Sequence, residues 1–83
     1  VWRLPFTVLK VSDAEFMRFC GEFGQRVRKV RARHGLTQED MMDKGFSLRH
    51  YQRIEAGRSV TLKTVWKLAL AFDVQPKDLL PRV

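Results

Sequence analysis

Arg49 and Arg53 stand four residues apart on a short stretch closed at its ends by Gly45 and Gly57. The chemistry they offer is hydrogen bonding to an anion or to a polar edge. A guanidinium carries five N–H donors in a planar fork and keeps its charge at physiological pH. It can bond guanine O6 and N7 together, which is worth about 1–3 kcal/mol of discrimination against another base. Other chemistries find little support. His34 and His50 lack a third ligand at metal spacing, and the single cysteine, Cys20, lies near neither, so no metal and no cofactor is expected. No nucleophile–base pair, glycine-rich phosphate loop or usefully spaced carboxylate pair is visible, which argues against an enzyme. Most carboxylates fall where helices would begin, and capping explains them there. One thiol cannot make an internal disulfide, which points to a reducing, cytoplasmic setting.

Charge narrows the partner. Sixteen Lys and Arg against nine Asp and Glu give a formal charge of +7. Such an excess favours a polyanion, through counterion release from phosphates or attraction to an anionic membrane; a merely solvated basic surface is the plain alternative. No apolar run approaches the roughly 18 residues that span a bilayer. The basic helices also leave no aromatic-rich amphipathic face over for a membrane surface. With 83 residues, 45% of them hydrophobic, the chain has room for one domain with one modest core.

The elements that must position the arginines read as helices. Residues 1–15, beginning VWRLPFTVLKV, are expected to form an N-terminal arm, extended or partly disordered, ahead of a domain over 16–83; Pro5 would confine any strand there to an edge. Ser12 and Glu15 form a capping-box pattern. Phe16, Cys20, Phe23, Val27 and Val30 then lay one apolar stripe along a first helix running to about Arg33, which Gly21 and Gly24 would bend or break. Gly35 ends it. A second helix starts at the N-cap Thr37 and ends at Gly45, with Met41 and Met42 as core or half-core filler. The third runs from Ser47 to Ala56 and stops at Gly57. A fourth follows Thr61, with Leu62, Val65, Leu68, Ala69 and Phe72 on one face, and Pro76 opens a short last helix. The architecture is all-α, with five helices.

The second and third helices are separated by only Gly45 and Phe46. Helices joined so tightly cross steeply, and the third can then protrude into a major groove with its first turn against base edges. At this point the chain also resembles a known family. GQRVRKVRARHGLTQED, GFSLRHYQRIEAGR, LKTVWKLALAFDV and the closing PKDLL look like the phage repressor and Cro helix-turn-helix family (XRE type), over about residues 22 to 80. One departure is visible: from Gln38 to Gly45 the chain is one residue shorter than the usual pattern, which bears on the angle between the second and third helices.

What the resemblance implies is a DNA-binding transcriptional regulator of the repressor type. Gln38 should bond a phosphate, with Thr37 more a cap than a contact. Ser47 caps the third helix and can touch a phosphate. Leu48, Arg49, Gln52 and Arg53 would face base edges, Leu48 against a thymine methyl and Arg53 toward a base or a phosphate. Tyr51 and Ile54 occupy the family's inward positions. His50, Arg58 and Lys63 would contact the backbone and fix register without reading sequence. Arg31 should pair with Glu55 as a structural ion pair, while Arg26, Arg28, Lys29 and Arg33 read as a solvated basic face. Double-stranded DNA is the expected partner, bound by a homodimer on a two-fold symmetric operator. Trp66, Trp2 and Phe6 supply the aromatic surface of an interface. The alternative is a protein-interaction module, such as an antitoxin with an autoregulatory helix-turn-helix, supported by the apolar arm.

Overall fold

The computed structural model describes residues 12–82; the expected arm over residues 1–11 lies outside them. Among the described residues there are five helices and no strand. They are α1 (Asp13–Arg33), a 3₁₀ helix (Glu39–Lys44), α2 (Leu48–Glu55), α3 (Leu62–Phe72) and α4 (Pro76–Leu79). The order and class are those the sequence indicates, with three local differences.

The first concerns α1. Ser12 Oγ accepts from Glu15 N–H at 3.1 Å, so Asp13, Ala14 and Glu15 form the first turn of α1 rather than the end of an arm. Its buried stripe begins at Cys20, since Phe16 is half exposed. The helix also runs unbroken through both glycines. A Cβ at Gly24 would stand 2.6 Å from the Ile54 carbonyl oxygen and 2.8 Å from that of Glu55. The glycine is there because the end of α2 lies against the α1 backbone. What reads locally as a weakness of about 1 kcal/mol is the condition for a close crossing.

The second difference is the 3₁₀ helix, expected as α-helical. Its start is well capped: Thr37 Oγ1 accepts from Asp40 N–H at 3.1 Å, and Asp40 Oδ2 accepts from Thr37 N–H at 2.8 Å. Six residues then wind as 3₁₀. At a rise of about 2.0 Å per residue they span about 12 Å, the length of eight α-helical residues. Tighter winding thus more than makes up the length of the one residue by which the segment is short. Met41 is fully buried, while Met42 is 55% exposed.

Leu62 is the third. It was expected on the core face of α3 but is 83% exposed, because it is the helix's first residue and sits at the rim of a groove with Phe16, Phe19 and Val60 rather than beneath a neighbouring element. Thr64, Val65, Leu68, Ala69 and Phe72 form the buried face. Thr61 caps this helix by accepting from Thr64 N–H at 3.2 Å. Leu79 of α4 closes the core from below, itself fully buried.

The helix ends are built alike. After α1, Gly35 N–H reaches Ala32 O and Leu36 N–H reaches Arg31 O; after α2, Gly57 and Arg58 bond back to Ile54 and Arg53 in the same way. This pairing satisfies two carbonyls that the helix leaves open and requires a left-handed residue. Asp73 fills that position after α3 at φ 54°, the one non-glycine with positive φ among the described residues.

Candidate nucleic-acid interface

Helix α2 is a two-sided rod. Ser47 Oγ accepts from His50 N–H at 3.1 Å and starts it. Tyr51 and Ile54, three residues apart, are fully buried. Arg49, Gln52 and Arg53 fall at the i, i+3 and i+4 positions of the opposite side and are all exposed. Leu48 is half-buried at their margin. Neither Arg49 nor Arg53 has an ion-pair partner among the described residues. His50 is exposed, its ring 6.2 Å from that of Phe46. Arg58, just past the left-handed Gly57, borders one groove with His50 and Arg53. Lys63 is exposed on the first turn of α3.

The turn ahead of the rod is held from α3. Lys67 Nζ donates to Gly45 O at 2.9 Å and lies 4.6 Å above the centre of the Phe46 ring. Phe46 is itself buried, so a cation–π contact and a hydrogen bond fix Gly45 and Phe46, two of the three residues between the 3₁₀ helix and α2.

Behind the rod, Glu55 is a hub. Arg31 Nε donates to Glu55 Oε2 at 2.7 Å and Nη2 to Oε1 at 3.2 Å, while Nη1 donates to Leu36 O at 2.8 Å. Tyr51 donates its hydroxyl to the same carboxylate. Gln38 Nε2 donates to Oε1 at 2.9 Å. The Arg31 and Glu55 side chains are 14% and 6% exposed. Burial pushes the Glu55 carboxyl up, but the hydrogen bonds from Arg31, Tyr51 and Gln38 outweigh it and hold the group below the ordinary carboxylate range. Burial and the bond to Glu55 push the Tyr51 hydroxyl up, which keeps it a donor. Through this carboxylate and its partner Arg31, α1, the loop at Leu36, the start of the 3₁₀ helix and α2 are joined.

Gln38 does not stand free. Besides its bond to Glu55, its Oε1 accepts from Gln52 Nε2 at 3.3 Å. The Gln38–Gln52 link and the roles of Tyr51 and Lys67 were not anticipated from sequence. The i, i+4 spacing of Tyr51 and Glu55 was a usable signal; nothing local marks Lys67. His34, read as a residue near a helix end, ties two helix ends together, with Nδ1 2.9 Å from Val30 O and Nε2 3.1 Å from Phe72 O. Among the described residues no three His, Cys, Asp or Glu converge as metal ligands, and no helix is long and apolar enough to cross a membrane.

A capped turn, a buried anchor and an exposed cationic face define a helix-turn-helix unit. The helix-turn-helix family model matches residues 27–79, and the chain belongs to that family. Among solved structures it is similar to the restriction-modification controller protein C.AhdI from Aeromonas hydrophila, at 35% identity and a TM-score of 0.69, over 81% of this chain and 98% of that one. It is similar also to the DNA-binding domain of BldD, at 25% identity and a TM-score of 0.73, over 78% and 97% of the two chains. No curated protein matches it.

Proposed function

We propose that this helix-turn-helix DNA-binding regulator reads a specific sequence with α2 and does so as a homodimer on a two-fold symmetric operator. The carrying observation is the rod's division of labour: Tyr51, Ile54 and Glu55 lock one side, and Arg49 and Arg53 are left unpaired on the other. Arg49, on the first turn, reads a guanine; Arg53 reaches a base or a phosphate, and Leu48 packs on a thymine methyl. Thr37, Gln38, Ser47, His50, Arg58 and Lys63 supply backbone contacts. The 35% identity to a restriction-modification controller protein supports a regulatory use of the bound DNA.

The dimer rests on a stripe along α3. Leu62, Trp66 and Leu70 recur every four residues and are 83%, 54% and 62% exposed. A short apolar stripe of this kind can pair with its own copy about a two-fold axis. The half-sites would then lie about 34 Å apart. Selecting bound duplexes from a random pool tests both points: the winner should be a palindrome with that spacing, and an asymmetric winner rejects the symmetric dimer.

The antitoxin-like reading is favoured by an adjoining surface that shares Leu62 with that stripe, the apolar groove of Phe16, Phe19, Val60, Leu62 and Leu80. It predicts a stable heteropartner with only weak operator binding.

A further inference from the structure

The groove between α1, the 3₁₀ helix and α2 is lined by Arg28, Arg31, Gln38, Gln52, Glu55 and Ala56. Gln38 already stands above as a phosphate contact; we propose that Arg28 and Gln52 join it on the same phosphodiester, seated in this groove, and that Gln52 serves this seat rather than base readout. The inference rests on the DNA-binding reading above. It departs from the sequence in two places, since Arg28 read there as part of a solvated face and Gln52 as a base contact.

Charge is the first argument. Arg31 and Glu55 are bonded to each other within the groove at 2.7 Å, so their charges cancel locally. Arg28 lies one turn earlier on α1, on the same side as Arg31. It is exposed and has no ion-pair partner among the described residues. The groove's net charge is therefore that of Arg28, and it favours an anion.

Donor accounting is the second. Each glutamine amide nitrogen carries two N–H groups. Gln38 uses one on Glu55, and Gln52 uses one on Gln38 Oε1. One N–H remains on each, beside a guanidinium. An ionised acceptor would complete these donors, and a phosphate oxygen is short-bonded by such groups.

The same link argues against base reading by Gln52. Recognition of adenine by glutamine uses the amide oxygen and nitrogen together, against N6 and N7. Here the Gln52 amide is already turned toward Gln38 on the 3₁₀ helix. Because Gln52 shares its exposed side with Arg49 and Arg53, the anion that comes within reach is the DNA strand those arginines approach.

The experiment uses the full chain and three variants: Arg28→Ala, Gln52→Ala and, as a control, Arg26→Ala, whose side chain is exposed on α1 outside the groove. Affinity is measured for the selected operator and for a scrambled duplex across a salt series. Arg28→Ala should weaken both complexes alike, by on the order of tenfold. It should also lower the slope of log K against log salt by about 0.9, the loss of one phosphate contact. Gln52→Ala should weaken both duplexes by one common factor and leave the preferred base at every position unchanged. An Arg28→Ala slope matching that of Arg26→Ala, or a changed base preference in Gln52→Ala, overturns the proposal. Failure of the DNA reading itself looks different: the unsubstituted chain would then bind neither duplex in a salt-dependent way.

Discussion

Glu55 accepts from Arg31, Tyr51 and Gln38 at once, and the loss of any one donor leaves a largely buried carboxylate short of partners. Arg31→Ala should therefore destabilise the fold by about 3 kcal/mol in urea unfolding; an effect below about 1 kcal/mol would mean that the pair behaves as an exposed one. The same bonds set a pH dependence. Glu55 holds its proton less tightly folded than unfolded, so the unfolded chain binds more protons as the pH drops through the carboxylate range. That contribution is fully present at neutral pH and is lost as the pH falls toward the lowered folded value. Glu55→Gln should be less stable at pH 7 and show a shallower acid limb than the parent; parallel limbs would contradict this. Arg49→Ala should leave the thermal midpoint unchanged and abolish discrimination among DNA sequences. The pairing of Arg31 with Glu55 was legible only through family resemblance, for 24 residues separate them and no local rule joins residues so far apart. The Gln38–Gln52 link was hidden for the same reason: the side of α2 that carries Gln52 was plain, but its partner on another helix was not.

Caps and stops were the most legible parts of the fold. Ser12, Thr37, Ser47 and Thr61 each accept from the amide three residues on, a bond set by neighbours in the chain. Winding and burial are set by tertiary packing and were legible only in part. The 3₁₀ form of Glu39–Lys44 follows from fitting a shortened segment between two anchored ends, and the exposure of Leu62 follows from what does not cover it. Gly24 was read by its helix propensity alone, whereas its role lies across the interface. Gly24→Ala should cost about 1–3 kcal/mol, since a methyl at 2.6 Å from a carbonyl oxygen forces the backbones apart. Asp73 offers the opposite case. Its left-handed backbone costs an L-residue roughly 1 kcal/mol that glycine does not incur. Asp73→Gly should thus raise the melting temperature by several degrees. An unchanged or lower value would show that the Asp73 side chain compensates in place.

Across the molecule as a whole, the apolar stripe of α3 and the charge of +7 call for two measurements. Trp66→Glu should yield monomers by sedimentation equilibrium and weaken binding to a two-half-site duplex far more than to a single half-site; a dimer that survives the substitution places the interface elsewhere. Composition made a polyanionic partner legible early, because charge adds up without knowledge of the fold. Which cations border a groove and which merely face solvent needed the coordinates, as Arg28 and Arg26 on one helix illustrate.

The bare-backbone seam at Gly24 has a consequence for retargeting. Since α1 grips α2 through main-chain atoms and through Tyr51, Ile54 and Glu55, the mount is indifferent to what the outward positions carry. If Arg49 and Arg53 read bases as proposed, they form a detachable vocabulary, and a new target could be written there without disturbing the sentence structure beneath.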